Sequence, residues 1–326
     1  MAAIGIGLIG LGRHGTRYVR HVSDPSLGAR MVAVCRRDTE QGRTVAAQHG
    51  AKFFQHYEDL IASPQVDAVV VVTPPSLCLP ICLAAVKAGK PLLIEKPLAR
   101  TGADAREMVR AADAAGVPLM TAHTLRFDRA VLALKLQLAS VGPRRYLVLT
   151  NRVEPRPEVL RDPEDYGGRG VLLEIGIHQL DLVRFLTGEE VAEVRCELER
   201  PSPKAAELRA LVSLRTVGGL SCIVDVSRVT GGRVSRAEWI GADGQLVADW
   251  VHHRVRKVLA GNVMTEQAVE DVPTVEAALR AFLDALTSGV SMPVTGVDGL
   301  RAVEIADACY RSAEIGAPVR LSGSER

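Results

Sequence analysis

Short apolar runs alternate with amphipathic stretches over the first 122 residues of the chain. A continuous apolar run is typical of a strand buried on both faces, and an amphipathic stretch is typical of a helix. The alternation therefore predicts a doubly wound α/β domain with a parallel sheet. The predicted strands lie at residues 3–9, 30–35, 53–54, 67–72, 91–94 and 119–120, and the predicted helices at 13–23, 39–49, 77–89 and 103–115.

From residue 123 the pattern changes to that of an α+β domain. One helix is followed by a polar, Pro-rich stretch at 154–169 and by a clear helix at 171–187. Gly218-Gly219 and Asp243-Gly244 are hairpin signals, so the sheet is predicted to be open and mostly antiparallel. Its predicted strands lie at residues 145–153, 193–199, 208–216, 220–228, 235–241, 245–250 and 254–259, before a final helix at about 297–316. We therefore expect a doubly wound domain over 1–122 and an α+β domain over 123–296.

Composition excludes several classes of function. The chain has 326 residues, of which 47% are apolar and 24% charged, as is ordinary for a soluble globular protein of two domains. A net charge of +2 gives no reason to expect nucleic acid or a membrane surface as a partner. The apolar N-terminal run is broken by glycines, so it predicts neither a signal peptide nor a membrane span. The six cysteines lack metal-binding spacing and are expected to be reduced core thiols in a cytoplasmic protein.

The segment from Gly10 to Gly15 has the pattern G-x-G-x-x-G between a predicted strand and a predicted helix. In this pattern Gly10 permits the turn, Gly12 lets the backbone approach a pyrophosphate, and Gly15 lets the helix pack on the strand. Helix N-termini favour anions, so Arg13 and His14 are expected to lie in a dinucleotide site. A glycine-rich turn without a ligand is the alternative, and the flanking strands argue against it.

Two arginines indicate which dinucleotide binds. A carboxylate that binds the ribose hydroxyls of NAD is usual at the end of the second strand. This chain has Arg36 and Arg37 there, and guanidinium groups pair well with a 2′-phosphate. We therefore expect NADP, with NAD as the less favoured cofactor. Asp38 could still reach a ribose, and the arginines could also be a solvated pair at a strand end.

Two further segments follow predicted parallel strands. Ligands of open parallel sheets bind outside the carboxyl ends of the strands, which places Thr73-Pro74-Pro75 and Glu95-Lys96-Pro97 at the cofactor site. Lys96 could hold or move a proton near a substrate hydroxyl. From position alone, it could equally be a surface lysine paired with Glu95.

The predicted helix at 171–187 carries three ionisable groups at helical spacing. Glu174 and His178 are four residues apart and His178 and Asp181 are three apart, so one α-helical face would present all three. A histidine held by carboxylates is suited to acid–base catalysis. A structural histidine is the alternative. Zinc is disfavoured because no further histidine or cysteine cluster completes a site.

Taken together, these motifs resemble the glucose–fructose oxidoreductase and inositol dehydrogenase (Gfo/Idh/MocA) family. The matching segments run in the family order over nearly the whole chain: the Gly10–Gly15 loop, VVTPPS at 71–76, EKPLA at 95–99, HTLRF at 123–127, GGRGVLLEIGIHQLDLVRFLTG at 167–188, EWIGADGQLVAD at 238–249 and GLRAVEIADACYRSAEIGAPV at 299–319.

The resemblance implies a Rossmann domain, onto which the last helix packs, and a second domain whose open sheet mediates oligomers. It also implies hydride transfer between a nicotinamide and a sugar, polyol or derivative, with Lys96 as the catalytic lysine and His178 as the acid/base. This chain departs from the family at Glu174, where aspartate is common, and at Cys78, where histidine is frequent. It also departs at Arg36, where an acidic residue is common, which favours NADP.

We therefore predict a nicotinamide-dependent oxidoreductase that interconverts a secondary alcohol and a carbonyl on a carbohydrate-like substrate. Lys96, His178 and Glu174 are its predicted catalytic residues. Arg126, Tyr166 and Asp181 are further candidates for substrate contact. A homodimer or homotetramer through the second sheet is expected. A regulator that binds dinucleotide without turnover, or an oxidoreductase that never releases its cofactor, are the alternatives, and no motif identifies the substrate.

Overall fold

A computed structural model describes residues 3–155 and 163–321 of the chain. Contacts divide the chain into two units. Unit 1 comprises Met1–His123 and Pro273–Leu300, and unit 2 comprises Thr124–Val272 and Arg301–Arg326.

Unit 1 is built on a six-stranded sheet in the order β3-β2-β1-β4-β5-β6. All the neighbouring strands are parallel. The strands are β1 Ile4–Ile9, β2 Ala29–Cys35, β3 Lys52–Phe54, β4 Ala68–Val71, β5 Leu92–Glu95 and β6 Leu119–Ala122. The order reverses between β1 and β4, and such a reversal opens a crevice for a ligand at the carboxyl ends of the strands.

Helices connect these strands. They are α1 Gly15–Val22, α2 Thr39–Gln48, α3 Tyr57–Ala62, α4 Cys78–Lys87 and α5 Gly102–Ala115, with α8 Thr274–Ser288 added from later in the chain. The Asp38 carboxylate accepts a hydrogen bond from Gln41 N and begins α2, and Gly116 in the left-handed region ends α5. Glu276 of α8 lies 3.4 Å from His21 of α1.

Unit 2 is built on a nine-stranded sheet in the order β14-β13-β12-β11-β7-β10-β9-β8-β15. Its strands are β7 Arg144–Arg152, β8 Val191–Glu199, β9 Arg209–Thr216, β10 Ser221–Ser227, β11 Val234–Gly241, β12 Gly244–Asp249, β13 Arg254–Leu259, β14 Met264–Ala268 and β15 Val319–Arg320. Within the described residues β7 and β10 pair in parallel and the other neighbours are antiparallel.

One face of this sheet is covered by helices. They are α6 Arg129–Gln137, α7 Ile177–Thr187 and a π-helical turn, Leu172–Gly176, that leads into α7. Leu147, Leu149 and Trp239 point to this covered face and are buried. The last helix, α9, spans Gly296–Ile315. No helix in the described ranges combines the length and the apolar character needed to cross a membrane.

The predicted fold class is confirmed, and the structure corrects several predicted elements. Helices α3 and α8 and strands β14 and β15 were not predicted, and the predicted helix at 171–187 is divided into the π-helical turn and α7. Contacts place α8 in unit 1 rather than in the second domain. In α9, Gly296 and Gly299 approach β6, whereas the residues from Arg301 onward group with unit 2.

Candidate active site

The turn from Gly10 to Gly15 has the geometry of a dinucleotide cradle. Gly10 has a φ of +96°, and a Cβ there would lie 2.3 Å from Val72 O. A Cβ on Gly15 would lie 2.1 Å from Gly10 O, so helix α1 packs directly on the turn. Gly12 is exposed, with no atom within 4 Å of a Cβ built on it. The turn therefore leaves open space over Gly12, where a pyrophosphate would approach the backbone.

The residues after β2 divide between the turn and helix α2. Arg36 is half-buried, and its Nη1 donates a hydrogen bond to Leu11 O at 2.9 Å. Arg37 is exposed. The carboxylate of Asp38 accepts from Gln41 N at 3.1 Å as the cap of α2. Arg36 therefore contacts the glycine turn, whereas the Asp38 carboxylate caps helix α2.

Three predicted segments meet at the carboxyl edge of the parallel sheet. Thr73, Pro74 and Pro75 follow β4 beside the glycine turn, and Val72 N donates to Ile9 O at 2.8 Å. Lys96 follows β5 directly and is half-buried, and the Lys96–Pro97 peptide bond is cis. The Lys96 side chain therefore begins at the edge where the fold binds its ligands.

Glu95 is the buried anchor of this edge. Its side chain is 7% exposed, and its Oε1 lies 2.8 Å from His14 Nε2. The same oxygen accepts a hydrogen bond from the Tyr18 hydroxyl at 2.6 Å. Oε2 accepts from the backbone N–H of Lys96 at 3.1 Å. Glu95 thus connects the glycine turn, helix α1 and the catalytic lysine candidate.

The surroundings of Glu95 fix its charge. Burial alone would raise the pKa of this carboxyl group. The hydrogen bond and charge of His14, the charge of Lys96 and the Tyr18 hydroxyl outweigh burial and leave the pKa below its ordinary value. Burial, and then the Glu95 charge and hydrogen bond, raise the pKa of Tyr18 well above its ordinary value. At neutral pH, Glu95 is therefore ionised and Tyr18 remains a hydrogen-bond donor.

In unit 2, the predicted histidine helix begins irregularly. Glu174 lies within the π-helical turn and His178 in the first turn of α7. A π turn has more residues per turn than an α-helix, so the predicted common face of Glu174 and His178 does not follow from their spacing alone. Both side chains are half-buried, and Asp181 is 1% exposed.

Arginines hold both carboxylates on this helix. Glu174 pairs with Nε and Nη2 of Arg228 at 3.1 and 2.5 Å. Asp181 pairs with Nε and Nη2 of Arg126 at 2.8 and 2.6 Å. The Arg126 side chain is only 9% exposed. In this structure Arg126 therefore holds Asp181, and a contact with substrate remains a prediction.

A second buried carboxylate fixes the start of the same helical segment. Glu207 has a fully buried side chain that accepts hydrogen bonds from Gly170 N at 2.9 Å and Leu172 N at 3.1 Å. It also accepts from the Tyr310 hydroxyl at 2.7 Å. A Cβ on Gly170 would lie 2.2 Å from Glu207 O, which explains the glycine before the π-helical turn.

Sequence reasoning missed Arg228, Glu207 and Tyr18, since each acts through a partner far away in the chain. No local pattern marks them, because other polar or charged residues lie close to each one in the sequence. Tyr166 ends a 3₁₀ turn, Pro163–Tyr166, and is half-buried. Its predicted contact with substrate is untested by this geometry. In the described ranges, no group of three or more His, Cys, Asp or Glu side chains could hold a metal ion.

Comparison with known proteins identifies the family. Residues 4–123 match the sequence model of an oxidoreductase family with an NAD-binding Rossmann fold, and residues 147–247 match the C-terminal domain of the same GFO/IDH/MocA family. The chain is 32% identical to inositol 2-dehydrogenase 1 of Saccharopolyspora erythraea, over 98% of this chain and 97% of that protein. The chain belongs to the Gfo/Idh/MocA family of oxidoreductases. Membership confirms the predicted family and the prediction of a nicotinamide-dependent oxidoreductase.

Two further Gfo/Idh/MocA relatives extend the comparison. An inositol 2-dehydrogenase of Paracoccus denitrificans is 30% identical over 95% of this chain and 94% of that protein. Among solved structures, the aldose–aldose oxidoreductase of Caulobacter crescentus is 26% identical and superposes with a TM-score of 0.85, over 98% of this chain and 100% of that one. The likeness therefore covers both units.

Proposed function

We propose that this Gfo/Idh/MocA protein is an NADP-preferring dehydrogenase that interconverts a secondary alcohol and a carbonyl of a sugar, polyol or sugar derivative. Relatives that match nearly end to end are named inositol 2-dehydrogenases. A structural relative is named an aldose–aldose oxidoreductase. These names support polyhydroxylated substrates and leave the individual sugar open.

The arrangement of the parallel sheet carries this proposal. The glycine turn follows β1 and Lys96 follows β5, so both lie at the carboxyl edge of one sheet. A cofactor held on that turn and a substrate oxygen held by Lys96 would therefore share one edge. A fold that only bound dinucleotide would not need a lysine anchored there by Glu95.

The residues present fit a dinucleotide. The turn is open over Gly12, and Arg13 and His14 directly precede helix α1 beside it. Thr73, Pro74 and Pro75 would border the same crevice. The bound nicotinamide would give or take the hydride.

We assign the remaining chemistry to two side chains. The Lys96 ammonium would orient and polarise the reacting oxygen, and His178 would take its proton in the oxidation direction. Glu174 and Asp181, which Arg228 and Arg126 hold in place, are proposed to set the protonation state of His178. Tyr166 is proposed as a contact to substrate.

The preference for NADP has structural support. Asp38 caps helix α2, so its carboxylate is already engaged. Arg36 lies against the glycine turn and Arg37 is exposed at the same strand end. Guanidinium groups at this position favour a 2′-phosphate over a free ribose hydroxyl.

A panel of polyols, aldoses and sugar acids, each assayed with NAD⁺ and NADP⁺, tests the function. Lys96→Ala and His178→Ala should each lower kcat on the active substrate by roughly 10²–10⁴ and leave cofactor affinity within a few-fold of wild type. Alcohol oxidation should become faster as the pH rises, because a histidine must be unprotonated to accept the proton of the alcohol. Lys87→Ala, at the exposed end of α4, is the matched control and should change neither kcat nor cofactor affinity.

Near wild-type kcat in His178→Ala would make that histidine structural. Absence of turnover with every substrate, together with tight dinucleotide binding, would favour a regulator. Reduced nicotinamide that remains bound through purification would favour an enzyme with a non-dissociating cofactor.

We also propose a homo-oligomer formed through the sheet of unit 2. The face of that sheet opposite α6 and α7 exposes apolar side chains, including Tyr146 at 44% and Ile223 at 42%. Open apolar faces of this kind commonly mark interfaces.

A further inference from the structure

His14 occupies an unusual place in the glycine turn. It is the cap residue of helix α1, yet its side chain makes no capping hydrogen bond. The imidazole is directed to Glu95, and 43% of the side chain is exposed. The ring of Tyr18 lies 6.0 Å away and edge-on. His14 therefore stands between a buried carboxylate and the turn on which a pyrophosphate would lie.

The hydrogen bonds define which protons His14 can carry. Glu95 is ionised at neutral pH and can only accept, and Tyr18 remains a donor. Nε2 of His14 lies 2.8 Å from Glu95 Oε1 and must therefore be the protonated nitrogen. Any further proton would be added at Nδ1, which converts the neutral ring into an imidazolium.

The charges around this ring are few and can be named. Glu95 contributes one buried negative charge, and Lys96 contributes a positive charge beside that carboxylate. Tyr18 is neutral because its pKa is raised, and burial raises the pKa of Cys78, near Glu95, to about 12. Among these groups, His14 has the side chain that can gain a positive charge by adding a proton.

A bound pyrophosphate would bring two more negative charges to the end of helix α1. These charges would repel the Glu95 carboxylate, which three hydrogen-bond partners hold in place. A proton on His14 would place a positive charge between the two anions. Since Glu95 also holds the backbone N–H of Lys96, the same proton would stabilise the carboxylate that positions the lysine.

We propose that His14 takes up a proton from solvent, at Nδ1, when the dinucleotide binds, and that the imidazolium pairs Glu95 with the pyrophosphate. This inference rests on the proposed dinucleotide site. His14 is a positioning residue for Lys96 and a contact residue for cofactor. Because binding favours the protonated ring, cofactor affinity is greatest at acid pH and falls as the pH rises through the range of imidazole titration.

Calorimetric titration of the full-length protein with NAD⁺ tests the inference, because NAD⁺ has no group that titrates between pH 6 and 8.5. Two buffers with different ionisation enthalpies report the number of protons taken up. We expect net proton uptake on binding at neutral pH and an affinity that falls about tenfold from pH 6 to pH 8.5. His14→Gln should take up no proton and bind with constant affinity.

His49→Gln is the matched control. His49 ends helix α2, at the opposite edge of the sheet, and its variant should keep the wild-type proton uptake. NAD⁺ binding to wild type without proton uptake, or full uptake in His14→Gln, would overturn the inference. The wild-type measurement of proton uptake tests the inference even if His14→Gln does not fold. Absence of binding by both NAD⁺ and NADP⁺ would instead overturn the proposed function and the inference with it.

Discussion

Arg36 is the residue on which the proposed choice of cofactor depends. Its guanidinium lies against Leu11 O of the glycine turn, at the end of β2. A carboxylate at this position would repel a 2′-phosphate and could accept hydrogen bonds from the ribose hydroxyls. The proposed preference for NADP therefore depends on the charge of one side chain.

Arg36→Asp should weaken NADPH binding and strengthen NADH binding, with a combined shift of about 2–3 kcal/mol, the scale of charge-assisted hydrogen bonds. Fluorescence titration of each reduced cofactor measures it. Arg43→Asp makes the same charge change at an exposed position of helix α2. It should change the affinity for neither NADPH nor NADH. Tighter binding of NADH than of NADPH by the wild type would reject the NADP preference.

At the scale of single residues, the sequence predicted the positions of those residues whose role depends on the local backbone. Gly10, Gly12 and Gly15 have the positions that their spacing indicates, because a turn constrains its own backbone. Arg228 could not be predicted as the partner of Glu174, since they are brought together by the packing of a strand on a helix. Pairings of this kind depend on tertiary structure.

The π-helical turn is the element that sets the position of the histidine helix in unit 2. Glu207 accepts from the free N–H groups of Gly170 and Leu172, at a point where helices normally lack partners. Glu207 also accepts a hydrogen bond from the Tyr310 hydroxyl, and Arg200 Nη2 lies 3.6 Å from Glu207 Oε2. One carboxylate thus fixes the entry to α7, which bears His178.

Glu207→Gln should therefore lower the free energy of unfolding by about 2–3 kcal/mol, because a buried amide oxygen cannot replace both carboxylate acceptors. Urea denaturation followed by circular dichroism measures the change. Glu199→Gln, whose side chain is 66% exposed on β8, is the control and should change stability by under about 0.5 kcal/mol. An equal, small effect of both variants would show that Glu207 does not hold the turn.

Most elements with regular apolar periodicity were predicted, with helix α8 as an exception, and elements without such periodicity were not. The buried run of β4 and the capped helix α5 lie within two residues of their predicted bounds. The exposed strand β14 lacks the apolar alternation that marks a half-buried strand. Helix α8 has an apolar face that was overlooked, and its return to unit 1 depends on contacts with α1 that no local pattern encodes.

At the scale of the whole molecule, the sheet of unit 2 has two chemically different faces. The face toward α6 and α7 is apolar and buried. The other face pairs Val148 with Ile223 and Tyr146 with Ile240 across neighbouring strands. Arg152–Asp225 and Arg236–Glu238 ion pairs lie beside them and neutralise each other within the sheet. A surface with an apolar centre and balanced charges suits the same surface of a second copy.

The substitution Ile223→Glu should disrupt that assembly. Ile223 is 42% exposed, so glutamate is tolerated in the isolated chain, whereas in an oligomer it would bury an unpaired carboxylate in each copy. Sedimentation equilibrium should show an oligomer for the wild type and a dissociation constant raised roughly 100-fold or more in the variant. Leu136→Glu makes a similar change on α6, where Leu136 is 87% exposed, and should leave the assembly intact. A monomeric wild type at micromolar concentration, or an Ile223→Glu oligomer of unchanged affinity, would mean that this face is not the interface.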